Sequence, residues 1–415
     1  MKFIADFHLH SKYSRATSPE MEVEGIARAC EEKGIGLVGT GDFTHPVWIQ
    51  ELKKKLEPAG DGLFRYGKTQ FILTVEVSNI YVKKGRLRKI HTVLFSPRFE
   101  EVESINKCLE RYSSRGGLAS DGRPIFTVDL EEMMERILEV APETFILPAH
   151  IWTPHFSLFG SESGFDRIEE CFGDLTDQIV ALETGLSSDP KMNWRLSALD
   201  RFTLLSNSDA HSPSKLGREA NCFNCELSYS EILDAIQKKD RKRFLFTVEF
   251  FPEEGKYHYD GHRRCHARVH PEESIVNNDL CPICGKGLTV GVLHRVLDLC
   301  DRKDGEIPQS AIPFKNLIPL REIIADALGV GVETSSVEKE YQNLLKSGNT
   351  EFDLLLDVPE EDLNRFTTTK IAEGILRVRR GEVEILPGYD GVFGEIRIFG
   401  KKEKTEVLKE QMNLF

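Results

Sequence analysis

The sequence predicts an α/β protein whose larger part is a closed or nearly closed barrel, followed by a small metal-binding module and a mainly helical C-terminal region. Three observations carry this. Between Lys2 and about Cys225 short apolar runs alternate with amphipathic stretches, the pattern of repeated β/α units. A composition break opens at Phe251-Pro252-Glu253-Glu254-Gly255, and from there through Arg295 histidine, cysteine and glycine crowd the chain. From about Asn316 to Arg380 the pattern is mostly helical. The expected division is a barrel over 1–250, a module over 251–300, a helical domain over 301–402 and a tail over 403–415.

The candidate strands are 3–5, 35–38, 71–75, 92–95, 145–147, 179–182 and 202–205. Seven strands suit a barrel, and helices fit at 21–33, 102–112, 129–140 and 229–238. Further helices are expected at 317–328, 336–347 and 362–380, before a turn-rich Gly388-Tyr389-Asp390-Gly391-Val392-Phe393-Gly394.

Composition narrows the function classes. With 40% hydrophobic and 29% charged residues, the 415-residue chain reads as folded and soluble, and no apolar run reaches the roughly 18 residues of a membrane span. The N-terminal residues meet Asp6 and His8 too early for a secretory signal, so a cytoplasmic location without membrane partners is expected. A net charge of −13 argues against coating nucleic acid by bulk electrostatics. Two basic runs, 83–89 and 238–243, suit either a local groove or a solvated face. Nine cysteines in such a compartment point to free thiols or metal ligation rather than disulfides.

Ionisable residues fall at the carboxyl ends of the candidate strands. The first runs into His8-Leu9-His10, the second into Asp42 and His45, the third into Glu76, the fifth into His150 and the seventh into Asp209-Ala210-His211. In a β/α barrel those ends converge on one face, so residues distant in sequence meet there. An H-x-H or D-x-H pair in an extended segment points both side chains to the same side. His91 is the exception, because it precedes its apolar run. Core packing does not explain such a set, since unpaired buried polar groups are costly.

The residues Asp6-Phe7-His8-Leu9-His10-Ser11, Gly39-Thr40-Gly41-Asp42, Thr74-Val75-Glu76-Val77, His91, Pro148-Ala149-His150 and Ser206-Asn207-Ser208-Asp209-Ala210-His211 together resemble the polymerase-and-histidinol-phosphatase (PHP) family. That resemblance implies a distorted (βα)7 barrel with a trinuclear metal site and phosphoester hydrolysis. It implies His8, His10, Glu76 and Asp209 around one ion, Glu76, His91 and His150 around a second, and Asp42 with His211 around a third, with Glu76 and Asp209 central to catalysis. The family's second motif commonly reads Asp-His, whereas Phe43 follows Asp42 here. Three options stay open at that point: Asp42 ligates directly, His45 substitutes, or one metal is held differently. Mixed imidazole and carboxylate donors suit two or three divalent ions among Zn2+, Mn2+, Fe2+ and Mg2+, which lower the pKa of water.

Cys281-Pro282-Ile283-Cys284-Gly285-Lys286 has the form of a knuckle that offers two thiolates to a structural Zn2+. His262 and Cys265, spaced H-x-x-C, are the favoured partner pair over His258, His266 and His270. Cys222 and Cys225 lack the glycine-rich turn and are read as buried thiols. The module either contacts nucleic acid through Arg263, Arg264 and Lys286 or stabilises a small domain.

Over nearly its full length the chain resembles one family of DNA-repair nucleases built on this barrel. The resemblance runs through Val38-Gly39-Thr40-Gly41-Asp42, Leu73-Thr74-Val75-Glu76-Val77, Gly255-Lys256-Tyr257, Asp260-Gly261-His262-Arg263, the cysteine knuckle, Gly291-Val292-Leu293-His294-Arg295-Val296 and Gly388-Tyr389-Asp390-Gly391. It implies a nick on the 5′ side of deaminated bases (uracil, hypoxanthine, xanthine) and abasic sites, leaving 3′-hydroxyl and 5′-phosphate ends. Lys12 and Arg15 suit phosphate contact, and Tyr13, Trp152, Phe156 and Phe159 suit stacking on an extruded base as readily as packing. The final Gln411-Met412-Asn413-Leu414-Phe415 resembles the peptide that binds the bacterial β sliding clamp, with Gln411, Leu414 and Phe415 as anchors. Two other readings share these features: a small-molecule phosphatase of the histidinol-phosphate type, and a DNA-binding accessory factor with a degenerate metal site.

Overall fold

The computed structural model describes residues 1–113 and 117–400. A mixed sheet curls at its centre into an incomplete barrel. Strand β1 (Lys2–Asp6) runs parallel to β2 (Ile35–Gly39), which runs parallel to β3 (Thr69–Lys83). Lys84 and Gly85, with φ of 51° and 76°, then return the chain into β4 (Arg86–Ser96). Two consecutive residues at positive φ make the tight turn of a hairpin, so β4 must run antiparallel to β3. This departs from a regular (βα)7 order, and it explains His91: in a reversed strand the start, not the end, lies at the face where the parallel strands finish.

β4 pairs antiparallel with β5 (Phe145–Pro148), while β6 (Ala181–Glu183) and β7 (Thr203–Leu205) form a separate parallel pair. Loop hydrogen bonds close the ring where ladders do not. Ile151 N–H donates to Glu183 O at 3.0 Å, and His10 N–H donates to Ala210 O at 2.9 Å. On the other side of β1 lie β8 (Ala220–Asn224) and β9 (Phe244–Glu249), two strands beyond the seven expected. Phe7, Phe95, Phe223 and Phe244 fill the interior, with ring centroids 5.4 Å apart for Phe7–Phe95 and 4.6 Å for Phe223–Phe244.

Helices α1 (Val23–Lys33), α3 (Phe99–Leu109), α4 (Leu130–Val140) and α5 (Tyr229–Gln237) lie close to their expected positions, and α2 (Pro46–Lys55) is a further helix between β2 and β3 that was not among them. In α1 the buried positions Val23, Ile26, Ala27 and Cys30 recur at helical spacing. Neither basic run is a continuous free patch: in 83–89 Arg88 is buried over the Phe165 ring, and both runs carry ion pairs. Lys83 contacts Asp129 and Glu131 at 3.2 and 2.9 Å, and Arg243 contacts Glu231, Asp234 and Asp240.

The small module is a hairpin of β10 (Asp260–His262) and β11 (Ala267–Val269) leading to α6 (Val292–Leu299). The chain then returns to the barrel, where β12 (Phe314–Asn316) pairs parallel with β9. The expected helix at 317–328 therefore starts late, as α7 (Leu320–Leu328), because Pro319 favours an extended residue before it. After α8 (Ser335–Leu345), the expected helix over 362–380 is broken into α9 (Glu360–Phe366) and α10 (Thr369–Arg380). Thr367 is extended, and the Thr368 side chain caps α10 by accepting from Ile371 N–H. A last hairpin, β13 (Glu384–Leu386) and β14 (Glu395–Arg397), ends the described chain. Gln411, Leu414 and Phe415 lie outside the described residues. Among the described residues no helix is long and apolar enough to cross a membrane.

A buried ion pair ties the C-terminal helices to the barrel. Glu351 accepts from Lys33 Nζ of α1 at 3.1 Å, from Leu320 N–H at 3.0 Å and from the Tyr341 hydroxyl at 2.9 Å. Removing one partner of such a pair strands the other charge in low dielectric. Glu351→Ala is expected to destabilise the chain by about 3–5 kcal/mol in denaturant unfolding, and Lys33→Met with Glu351→Met together by much less.

Candidate metal centre

His8 and His10 sit just past β1, and extended geometry sends both rings into the barrel mouth. Their outer nitrogens are already held by carboxylates. His8 Nδ1 lies 3.0 Å from Glu183 Oε2, and His10 Nδ1 lies 3.1 Å from Asp42 Oδ1. Each Nε2 therefore points inward, the arrangement by which second carboxylates orient metal-binding imidazoles. His10 Nε2 is 3.2 Å from Glu76 Oε2 and 3.1 Å from Asp209 Oδ1, while His8 Nε2 is 3.7 and 3.8 Å from the same atoms.

Around Oε1 of Glu76 a second set gathers, with His91 Nδ1 at 2.6 Å, His150 Nε2 at 3.1 Å, and the two nitrogens 3.3 Å apart. Thr153 Oγ1, 3.1 Å from His150 Nδ1, fixes that ring. Glu76 thus presents one oxygen to each set, and its side chain is wholly buried. Three donor-bearing residues bend sharply: Asp42, His150 and Asp209 have φ of 51°, 29° and 47°. Left-handed backbone at non-glycine residues is uncommon and concentrates at functional sites. Gly185 permits the bend at His150, since a Cβ there would stand 2.4 Å from the His150 Cβ.

The donors fit divalent ions. His8 Nε2, His10 Nε2 and Asp209 Oδ1 are buried with no hydrogen-bond partner. Such atoms are costly unless something unites them. Their spacing of 3.1–3.8 Å brackets the separation of about 3.4 Å between ligands of one tetrahedral ion at 2.0–2.2 Å bonds. The electrostatics agree. Burial disfavours charge on His8 and His10, yet carboxylates outweigh it and hold both imidazoles well above the ordinary range, Glu183 and Glu76 at His8 and chiefly Asp42 at His10. Burial opposes ionisation of Glu76 too, but His91, His8 and Arg123 hold its carboxyl well below the usual value. At His91 burial prevails and pushes the pKa down to about 4.

The pairing of Asp42 with His211 around a third ion is not what the structure assembles. Oδ2 of Asp42 accepts from Ser11 N–H, Ser11 Oγ and Ser14 Oγ at 2.6, 2.7 and 2.9 Å, and Oδ1 faces His10, so the carboxylate is saturated. His211 Nδ1 faces the Asp209 carbonyl at 2.9 Å. His45 does not substitute: its Nδ1 accepts from Trp48 N–H at the start of α2, and its ring stacks on Tyr13 at 4.3 Å. Asp42 orients His10 instead.

Two residues were not foreseen. Glu183, at the end of β6, also accepts from His150 N–H and Asn207 Nδ2, both at 2.8 Å. The rule that found the other donors, an ionisable residue after a candidate strand, applies to it. Arg123 reaches Glu76 Oε2 with Nη1 at 2.9 Å from a loop that carries no sequence signal.

With 34% identity and a TM-score of 0.86, the structure matches the lesion-specific endonuclease PfuEndoQ from Pyrococcus furiosus over 97% of each chain. The chain belongs to the endonuclease Q family. An endonuclease Q in complex with a 27-mer duplex, its abasic lesion at the active site, matches at TM-score 0.83 and 34% identity, covering 97% of this chain and 98% of that one. The uncharacterized protein MJ0043 of Methanocaldococcus jannaschii is 33% identical over 271 residues, 63% of this chain, which spans about a third of that protein. A family model described as the MJ0043 C-terminal domain matches residues 319–382.

In this endonuclease Q family member a second donor set lies in the small module. His262, Cys265, Cys281 and Cys284 offer atoms all within 4.8 Å of one another. Gly285, at φ 71°, turns the knuckle so that its N–H donates to Cys281 O at 2.8 Å. Burial opposes thiolate formation at Cys281, but backbone N–H groups of Cys284 and Ile283 outweigh it and lower the pKa to about 7. His258 is buried outside this set, His270 caps a short helix, and Cys222 is buried in β8 with Cys225 just beyond it. A further group, Asp260, Asp279 and His294, is organised by a direct contact of 2.6 Å between His294 Nδ1 and Asp260 Oδ2.

Of the basic residues, Arg263 and Arg264 are exposed, and Arg15 is exposed beside Asp121. Lys12 is engaged by Glu51 and Glu22 at 3.0 and 3.4 Å. Trp152 and Phe159 are buried against each other, whereas Phe156, at φ 60°, places its ring 4.7 Å from His91.

Glu183→Gln is expected to weaken divalent-ion binding about 10–100-fold with the fold retained, read by ion titration and circular dichroism. The carboxylates around His8 and His10 raise both imidazoles above their ordinary range, so an incoming ion competes with protons there and apparent affinity is expected to rise with pH. Calorimetry at pH 7 in buffers of different ionisation enthalpy should show proton release, and heats independent of buffer would contradict this.

Proposed function

We propose that this chain is a metal-dependent, lesion-specific DNA endonuclease that hydrolyses the phosphodiester bond 5′ of deaminated bases (uracil, hypoxanthine, xanthine) and of abasic sites. The observation that carries the reading is the carboxylate of Glu76 shared between two sets of inward-facing donors in a chain of the endonuclease Q family. His8, His10 and Asp209 with one oxygen of Glu76 would hold one divalent ion, and His91 and His150 with the other oxygen a second. Such ions lower the pKa of water and stabilise charge on phosphoryl oxygens. Asp42, Glu183 and Thr153 fix the tautomers and ring orientations of the imidazoles that would bind them. In the reaction a water oxygen bonds to phosphorus, the bond from phosphorus to the 3′ oxygen breaks, and that oxygen leaves with a proton, giving 3′-hydroxyl and 5′-phosphate ends.

A Zn2+ at His262, Cys265, Cys281 and Cys284 would stabilise the module beside the barrel mouth, with Arg263 and Arg264 offered to DNA phosphates. A base extruded from the stack costs least to extract when damaged or mispaired, which supplies lesion preference without bulk positive charge. The C-terminal Gln411, Leu414 and Phe415 suit a sliding-clamp groove and would bring the nuclease to replicating DNA.

The test is cleavage of end-labelled duplexes with one uracil, one hypoxanthine, one abasic site or no lesion, in manganese or magnesium. A single nick 5′ of each lesion is expected, absent from undamaged DNA and reduced beyond detection in Asp209→Asn. Intact duplexes together with phosphate release from small monoesters would instead establish a phosphatase.

A further inference from the structure

The loop that carries Arg123 is built to aim it. Gly122 N–H donates to Tyr13 O at 3.1 Å, and a Cβ at Gly122 would stand 2.3 Å from both Asp42 Oδ2 and Ser14 Oγ, so the loop lies directly on the saturated carboxylate. On the other side Pro124 O accepts from Ser78 N–H at 3.0 Å, and Ile125-Phe126 pair with β3. Pinned at both ends, the loop projects Arg123 over the donor sets. Its guanidinium contacts Glu76 Oε2 through Nη1 and, among the described residues, makes no other side-chain hydrogen bond. The side chain is 31% exposed, whereas that of Glu76 is 0% exposed, so the cation stands between the buried centre and solvent.

A guanidinium beside a carboxylate that faces metal donors would only compete with the ions if its role ended there. Its planar fork has donors to spare, and these match the two non-bridging oxygens of a phosphodiester. Among the described residues no donor set gathers beside Asp42 for the third ion expected there, and Gly122 occupies the approach to that carboxylate.

We propose that Arg123 is a catalytic residue that binds the non-bridging oxygens of the scissile phosphate and supplies the positive charge that Asp42 and His211 do not gather an ion to provide. The inference rests on the endonuclease reading and names a further group in the same site. Charge on those oxygens grows as the nucleophile adds, so a preorganised donor there acts mainly on the rate. Lysine keeps the charge and loses the fork, so Arg123→Lys falls between wild type and Arg123→Met.

The test measures single-turnover nicking of a lesion duplex by wild type, Arg123→Lys and Arg123→Met, with bound metal counted in each. Arg123→Met is expected to slow nicking about 10²–10³-fold with unchanged metal content, the loss typical of one transition-state donor. Replacing either non-bridging oxygen of the scissile phosphate by methyl should slow wild type strongly and Arg123→Met much less. Loss of metal from Arg123→Met, or an equal methylphosphonate penalty in both proteins, would overturn the proposal by confining Arg123 to holding Glu76. Hydrolysis of bis(4-nitrophenyl) phosphate separates the two readings. If wild type leaves lesion duplexes intact but cleaves this diester, the endonuclease reading falls, and Arg123 stands or falls on whether Arg123→Met slows that cleavage. Cleavage of neither substrate overturns both.

Discussion

A carboxylate fixed mid-strand inside a barrel, with 1% of its residue surface open to water, has to be compensated, and compensation of Glu76 organises the rest of the molecule. Burying one uncompensated ion costs several kcal/mol after relaxation. The chain answers with four imidazoles and one guanidinium drawn from four separate segments, each led to the same point by a different strand end or loop. The carboxylates of Asp42 and Glu183 then balance His10 and His8 from behind. The barrel is incomplete as a hydrogen-bonded ring, yet this polar network spans the gap between β5 and β6 through Glu183, which accepts from the backbone of His150. Barrel closure and assembly of the site are therefore partly the same event.

The appended elements are joined to that frame by interactions of the same kind. Lys33 and Glu351 link α1 to the C-terminal helices, and Asp260 with His294 locks the module hairpin to α6. β12 adds to the edge of the barrel sheet after the module has left it, so the module is an insertion between two strands that pair side by side. It is held at both its roots by the strands that flank it.

Much of this was legible in the sequence because strands carry side chains in a fixed alternation and β/α connections bring their ends to one side. His8, His10, Glu76, His91, His150 and Asp209 meet in two sets that share Glu76, and the four zinc-type donors of the module meet as their spacing implied. Three features were not legible, each for a physical reason. The reversal at Lys84-Gly85 hid in a charged run, so one long hairpin read as two β/α units and His91 looked misplaced. The role of Asp42 depends on Ser11, Ser14 and a loop near residue 122, contacts that no local pattern encodes. Arg123 is a surface-type residue turned inward by its neighbours, and nothing in its own flanks announces that.

The left-handed backbone at Asp42, His150 and Asp209 has a consequence for how such a protein ages. Aspartate and histidine enter that conformation more readily than most side chains, yet glycine or asparagine would be more comfortable at all three positions. The folded chain is therefore less stable than it would be without its chemistry. Relaxed selection on the reaction would let these positions drift toward glycine and asparagine, and the drifted protein would be a sturdier one. A barrel of this kind that has lost its catalytic role should be recognisable by its calmer backbone as well as by its missing ligands.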